Sequence, residues 1–339
     1  MRKQQQLSAV HTIGPCPAPV STGREGAAGA RGAPGGWRTA EAGAQAETGA
    51  QAAAGAQTAA GWTAAAGAQA AGGRRTAAAD GGAHAAPAGG TGRRARTADD
   101  AAARAAFPDW RFAPNIGGHP GVYEIENRAL DPGGHLLAAM RRLAPWEGRR
   151  LVDLGCGTGF WLPGYAKEAA RVTGVEPDPV LRARAADRIR DLPHAEVLPG
   201  SAERLPLPDR SVDVVHARFA YFWPPGCAAG LAEVRRVLKP GGALVVVDND
   251  HRAGEFAGLL RAAAEAGQGY GDNADVTDAW WAERGASRTE VMSRWQFRSR
   301  EDFEAVLGME FPGGVADRWL AEHPGVTGLS YGYVLFTIR

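Results

Sequence analysis

The chain has 339 residues, with 38 Lys and Arg against 37 Asp and Glu, 47 glycines and three cysteines. So even a charge balance argues against a nucleic-acid binder, and no run of about 18 apolar residues exists to span a membrane. Cys16, Cys156 and Cys227 are too scattered for a disulfide framework or a metal cluster. After Met1-Arg2-Lys3 come glutamines rather than an apolar run, so no secretory signal is read and a cytoplasmic location is expected.

Residues 1–106 are dominated by Ala and Gly, with glycines at 43, 49, 55, 61, 67 and 73 marking a six-residue period. A β-helix needs aliphatic side chains inside each turn, and this stretch has almost none. It cannot bury enough apolar surface to offset the entropy of ordering, so a disordered tail is expected. The tail carries 11 basic against 6 acidic residues, and the remainder 27 against 31. The tail's excess is scattered, which suits a solvated extension better than a nucleic-acid arm.

From Phe107 the sequence turns globular. Val122–Leu130 and His135–Leu143 read as helices, the second with Leu136, Leu137, Met140 and Leu143 on one face. A strand ends at Asp153, and three glycines at alternate positions follow, Gly155, Gly157 and Gly159. The next helix puts Leu162, Tyr165, Ala166 and Ala169 inward. A second strand, Val172–Glu176, precedes a helix that Asp178 caps with Pro179 in its first turn. Strands follow at Glu196–Leu198 and Val212–Val215, then a helix with Leu231, Val234 and Leu238 inward, stopped by Lys239-Pro240-Gly241-Gly242. A fifth strand, Ala243–Val247, ends at Asp248. Beyond 250 the pattern gives a helix near Glu255–Ala266, a polar stretch bearing Trp280 and Trp281, and a strand near Val291–Phe297. Helices near Arg300–Leu307 and Val315–Glu322 and a strand over Tyr331–Ile338 complete it. Alternating strands and helices predict an α/β fold: a doubly wound, seven-stranded, mostly parallel sheet with a C-terminal helical and aromatic insert.

The strand–glycine turn–helix layout is that of a nucleotide site at the carboxyl end of a parallel strand. A dinucleotide fingerprint, G-x-G-x-x-G, needs glycine at 160, where Phe160 stands, and a P-loop needs Gly-Lys-Ser/Thr. Leu151-Val-Asp-Leu-Gly-Cys-Gly-Thr-Gly159 instead resembles the first motif of the class I S-adenosylmethionine (SAM) methyltransferases, type 11 group. Glu176 stands where an acid accepts both ribose hydroxyls. Gly200-Ser201-Ala202-Glu203 is similar to the segment that passes the adenine, with Ser201 where relatives often carry an aspartate. Pro208-Asp-Arg-Ser-Val-Asp-Val-Val215 and Leu238-Lys-Pro-Gly-Gly242 are similar to two further family motifs.

The resemblance implies the Rossmann-like methyltransferase fold over 107–339. Residues 107–145 would supply N-terminal helices, 146–250 the donor-binding core, and 251–339 the substrate side. It implies SAM as cofactor, held by Asp153, Gly155, Cys156, Gly157, Gly159, Glu176, Pro177, Ser201, Ala202 and Glu203, with Tyr123 and Asn127 folding over it. Arg218, Tyr221 and His251, near the ends of strands four and five, are the candidate catalytic groups. His251 is the candidate base, Asp248 and Asp250 could orient it, and Arg218 could clamp an anionic substrate or the donor carboxylate. Cys156 reads as a small filler. Trp280, Trp281, Trp295 and Trp319 are read either as core or as a lid over an organic acceptor. The expected reaction is in-line methyl transfer to a small molecule with an O- or N-nucleophile, with no nucleic acid, membrane or metal involved. The same site would also serve a non-catalytic SAM sensor, and an NAD-dependent oxidoreductase is a remote alternative.

Overall fold

Seven apolar strands need cover on both faces, and the helices between them provide it. A computed structural model of the chain describes residues 101–268 and 274–339. The predicted tail lies outside the described residues up to position 100. Its last six, 101–106, are helical, with Ala103 buried.

In chain order the elements are α1 (Pro114–Gly118), α2 (Pro120–Ala129), α3 (His135–Leu143), β1 (Arg150–Leu154), α4 (Leu162–Ala166), β2 (Arg171–Val175), α5 (Pro179–Ile189), β3 (Ala195–Leu198) and β4 (Val212–Arg218). There follow α6 (Ala228–Val237), β5 (Leu238–Asn249), α7 (Gly254–Glu265), α8 (Ala274–Glu283), β6 (Ser287–Gln296), α9 (Arg300–Glu310), α10 (Val315–Glu322) and β7 (Gly328–Ile338). The strand order is β3-β2-β1-β4-β5-β7-β6. β1 to β5 run parallel, and β7 pairs antiparallel with both β5 and β6. The order reverses at β1, which lies between β2 and β4. That reversal opens a crevice at the strands' carboxyl ends, where ligands of open α/β sheets bind.

One face of the sheet packs against α3, α4, α5, α7, α9 and α10 through Leu136, Met140, Tyr165, Ala185, Phe256, Phe303 and Val315. The other packs against α6 and α8 through Leu231, Val234, Trp280 and Trp281. The capping role expected of Asp178 is present: its carboxylate accepts from the Val180 and Leu181 amides at 2.8 and 3.2 Å.

Two details depart from the expected pattern, and of the two readings of the tryptophans core packing is the one seen. The Lys239-Pro240-Gly241-Gly242 stop does end α6 at Val237, but the segment then enters β5 directly, through a register shift beside Val212–Val214. The polar stretch carrying Trp280 and Trp281 is the helix α8, whose adjacent tryptophans give no 3.6-residue period to detect. The four tryptophans do not form one lid. On one face Trp281 packs against Phe222, Phe336 and its neighbour Trp280, while Trp295 lies on the opposite face against Phe256 and Tyr331. Trp319 sits on Phe303 and His323. Burial explains this: Trp281 and Trp295 are 1% and 0% exposed, so they fill core rather than cover a site.

Candidate active site

The site begins with a backbone shape. Gly155, Gly157 and Gly159 all adopt left-handed conformations, with φ of +71°, +56° and +71°. A side-chain-bearing residue rarely takes this region. The Gly155 and Cys156 amides bond back to the Val175 carbonyl at 2.9 and 3.2 Å, pinning the turn to the end of β2. Space is as tight as conformation: a Cβ on Gly159 would meet Ala185 of α5 at 2.8 Å, and one on Gly157 would meet the tip of Ile116 at 2.6 Å.

Glu176, just past β2, is buried with its carboxylate turned to this loop. One oxygen accepts from the Gly157 amide at 2.8 Å and the other from the Asp178 amide at 2.9 Å. Each carboxylate oxygen has a second lone pair, so both remain able to accept from a ligand hydroxyl. Asp153, near the end of β1, lies in register between Gly174 and His216. Ser201 and Ala202 are buried after β3, and the Ser201 hydroxyl has no partner. At the end of β4, Arg218 stacks its guanidinium 3.8 Å above the Trp161 ring, and its Nε and Nη1 are buried without partners.

Residues 152–246 match the sequence family described as "Methyltransferase domain". That segment holds the glycine turn, Glu176, Ser201 and Arg218 together. The segment that builds the site is thus similar to known methyltransferase domains. An uncharacterized methyltransferase of Mycobacterium tuberculosis is 37% identical over 41% of this chain and 55% of its own length. The ubiquinone/menaquinone biosynthesis C-methyltransferase UbiE of Rubrivivax gelatinosus is 36% identical over 37% and 51% respectively. The matched segment thus spans about half of each curated relative. The solved YcgJ protein of Bacillus subtilis aligns over 60% of this chain and 97% of its own, at 18% identity and a TM-score of 0.44.

α1 and α2 lie across the glycine turn. Thr158 donates its hydroxyl to Glu124 of α2 at 2.5 Å, and Arg188 of α5 reaches the same carboxylate at 2.7 Å. Trp161 donates its indole N–H to Asn127 at 3.3 Å. Tyr123 lies one turn before Glu126 on the same helix. The sequence reading placed Tyr123 and Asn127 over the loop; it missed Glu124, Ile116 and Trp161, which secure that cover. Among the described residues no helix is long and apolar enough to cross a membrane.

The other predicted residues take different places. The Cys156 thiol abuts Gly174, where a Cβ would stand 2.7 Å from its sulfur, so it fills space beside β2. The Pro177 carbonyl accepts from Arg182 at 3.1 Å. Glu203 is exposed, and Tyr221 donates its hydroxyl to it at 2.8 Å while accepting from the Gly230 amide at 3.0 Å. That phenol ties α6 to the segment after β3. Tyr221→Phe is therefore expected to cost about 1 kcal/mol of stability and leave SAM affinity unchanged, by urea denaturation and calorimetry; a lost affinity would return Tyr221 to the site. His251 lies past β5, and its carbonyl accepts from Arg261 at 3.1 Å. Asp250 caps the Arg252 amide at 2.9 Å, and Asp248 accepts from the Asn249 amide at 2.8 Å.

Burial sets the electrostatics. It pushes both Asp153 and Glu176 up to about 7, against the pull of Arg218 on the first and of two amides on the second. Carboxyls raised on folding stabilise the protein at low pH, and that stability is lost as pH rises through 7. His216 works in the opposite sense: burial, with Arg218 nearby, lowers it to about 3, so its contribution grows with pH up to about 6.5 and is flat above. Between about pH 6.5 and 8 the carboxyls set the slope. Ligand-free protein is expected to lose about 1–2 kcal/mol over that interval, read as a falling urea midpoint, and Glu176→Gln to flatten the fall. A midpoint that rises over the interval would contradict these assignments.

Proposed function

We propose that the chain transfers a methyl group from SAM to a small organic acceptor bearing an oxygen or nitrogen nucleophile. The observation that carries this reading is the conjunction of three left-handed glycines with a buried glutamate whose carboxylate already holds the Gly157 amide. The residues present suit the donor. The glycine backbone allows close approach, and the Glu176 oxygens each keep a lone pair for a ribose hydroxyl. The unpartnered Ser201 hydroxyl stands ready for an adenine edge, and the unpartnered Arg218 nitrogens for a carboxylate. Asp153 faces the same crevice and suits an amino group.

When bound, the donor supplies an activated methyl and a neutral leaving group. The protein's task is then placement, which supplies roughly 7–11 kcal/mol when donor and acceptor are held at near-attack distance. α1 and α2 close the glycine turn from water, and Arg218 and Asp153 fix the charged end of the donor from β4 and β1. A screen with methyl-labelled SAM against phenols, carboxylates and amines tests the reading. We expect label to reach at least one acceptor with one equivalent of S-adenosylhomocysteine formed. Tight donor binding with no acceptor labelled would instead favour a sensor.

A further inference from the structure

A second cluster of ionisable groups lies on the same sheet face, and nothing above uses it. Glu126 on α2 and Glu310 at the end of α9 are both buried and hydrogen-bonded to each other. Asn115 of α1 donates to Glu310 at 2.9 Å. Burial and the Glu310 charge push Glu126 well above the usual carboxylate range. Burial also raises Glu310, against hydrogen bonds from Asn115 and Glu126. Two carboxyls that share a hydrogen bond need at least one proton between them, since a pair of carboxylates has none to donate.

As a structural tie this pair is a poor choice. A buried ionic contact is seldom more stable than an apolar pair of the same size, and this one leaves groups unsatisfied. Glu126 Oε2 is buried without a partner. So is the hydroxyl of Tyr333, which is wholly buried and lies within the field of Glu126, Asp131 and Arg218. Each such group is costly to bury unless something bonds to it. The surroundings are aromatic: Tyr331 stacks on Phe256 at 4.0 Å and lies 4.4 Å from Tyr333, and Tyr123 feels both glutamates. The cluster also adjoins the proposed donor site. Asn115, bonded to Glu310, precedes Ile116, whose tip covers Gly157, and Asn127, beside Glu126, holds the Trp161 under Arg218.

We propose that Glu126 and Glu310, walled by Tyr123, Tyr331 and Tyr333, form the acceptor subsite and take a protonated amine. An unsatisfied carboxyl oxygen, a second carboxyl bonded beside it and tyrosine faces together match an ammonium group. This rests on the methyl-transfer reading. The carboxyl pair accepts a proton from the ammonium, freeing the nitrogen lone pair. That lone pair forms the N–C bond to the donor methyl as the C–S bond breaks with its electrons left on sulfur; the methylated ammonium then sheds one proton to solvent and the carboxyl pair releases the proton it accepted, which restores it.

The test is calorimetric titration of the full chain, saturated with S-adenosylhomocysteine, by phenethylamine and by its neutral isostere phenethyl alcohol. The amine is expected to bind about tenfold or more tightly than the alcohol. Glu126→Gln is expected to abolish that preference while leaving S-adenosylhomocysteine affinity unchanged. Equal affinities for the two probes, or a preference that survives Glu126→Gln, would overturn the proposal. The wild-type comparison decides by itself if the variant does not fold. Failure of S-adenosylhomocysteine to bind would remove the methyl-transfer reading and this subsite with it, whereas binding without amine preference removes the subsite alone.

Discussion

Gly157→Leu is expected to weaken SAM binding at least about a hundredfold while the domain stays folded. Two independent reasons converge on this residue. Its backbone sits at φ +56°, where a side chain with a Cβ adds roughly 1–2 kcal/mol of strain. Its missing Cβ also faces the site, where the first atom added would come within 2.6 Å of the Ile116 tip. Ile116 can turn aside, because it is the end of a flexible chain on a short helix. The leucine would then occupy the space between loop and cover that the donor needs. The Gly157 amide would keep its bond to Glu176, so the turn itself has a reason to persist. Calorimetry with S-adenosylhomocysteine reads the affinity and circular dichroism the fold. A variant that binds normally would show that the donor does not lie against this turn.

Trp281→Ala is expected to have the largest effect on stability, about 3–5 kcal/mol. Trp281 is 1% exposed, and its ring packs on Phe336 at 5.4 Å, Phe222 at 5.6 Å and Trp280 at 4.8 Å. It joins α8 to β7 on the sheet face away from Asp153 and Arg218. Removing it leaves a cavity between layers that cannot collapse without shifting the sheet. Donor affinity should change little, because no group that faces the glycine turn contacts this ring. The lid reading of the tryptophans makes the opposite forecast: a small loss of stability and a large loss of acceptor affinity. Urea denaturation beside a donor titration separates the two.

What could be read from the chain was what is written locally. The glycine turn, the acid closing β2 and the Asp178 cap all lie within about one element of the residues they act on, so their chemistry shows in spacing alone. Strand order followed from alternation with helices. α8 went unread because paired tryptophans buried on one face look, in sequence, like any aromatic cluster. The Glu126–Glu310 pair went unread for a different reason. Asn115 and Glu310 meet across 195 positions, and Tyr331 and Tyr333 come to them only because β7 folds back beside β5. No local pattern marks a glutamate as buried. One signal was present, since Tyr123, Glu126 and Asn127 share a helix face at i, i+3 and i+4, but only packing tells whether that face points inward. The place of Tyr221 after β4 suggested the crevice, and only the folded chain shows its hydroxyl bonded to Glu203 and Gly230.

Methyl transfer by this chain requires the glycine turn and Glu176 to grip an adenosyl sulfonium compound. Titrating the full chain with SAM, and separately with NADH, tests that most directly. The expected result is saturable binding of SAM at one site, weakened strongly by Gly157→Leu, with no saturable binding of NADH. Saturation by NADH with no heat from SAM would contradict it.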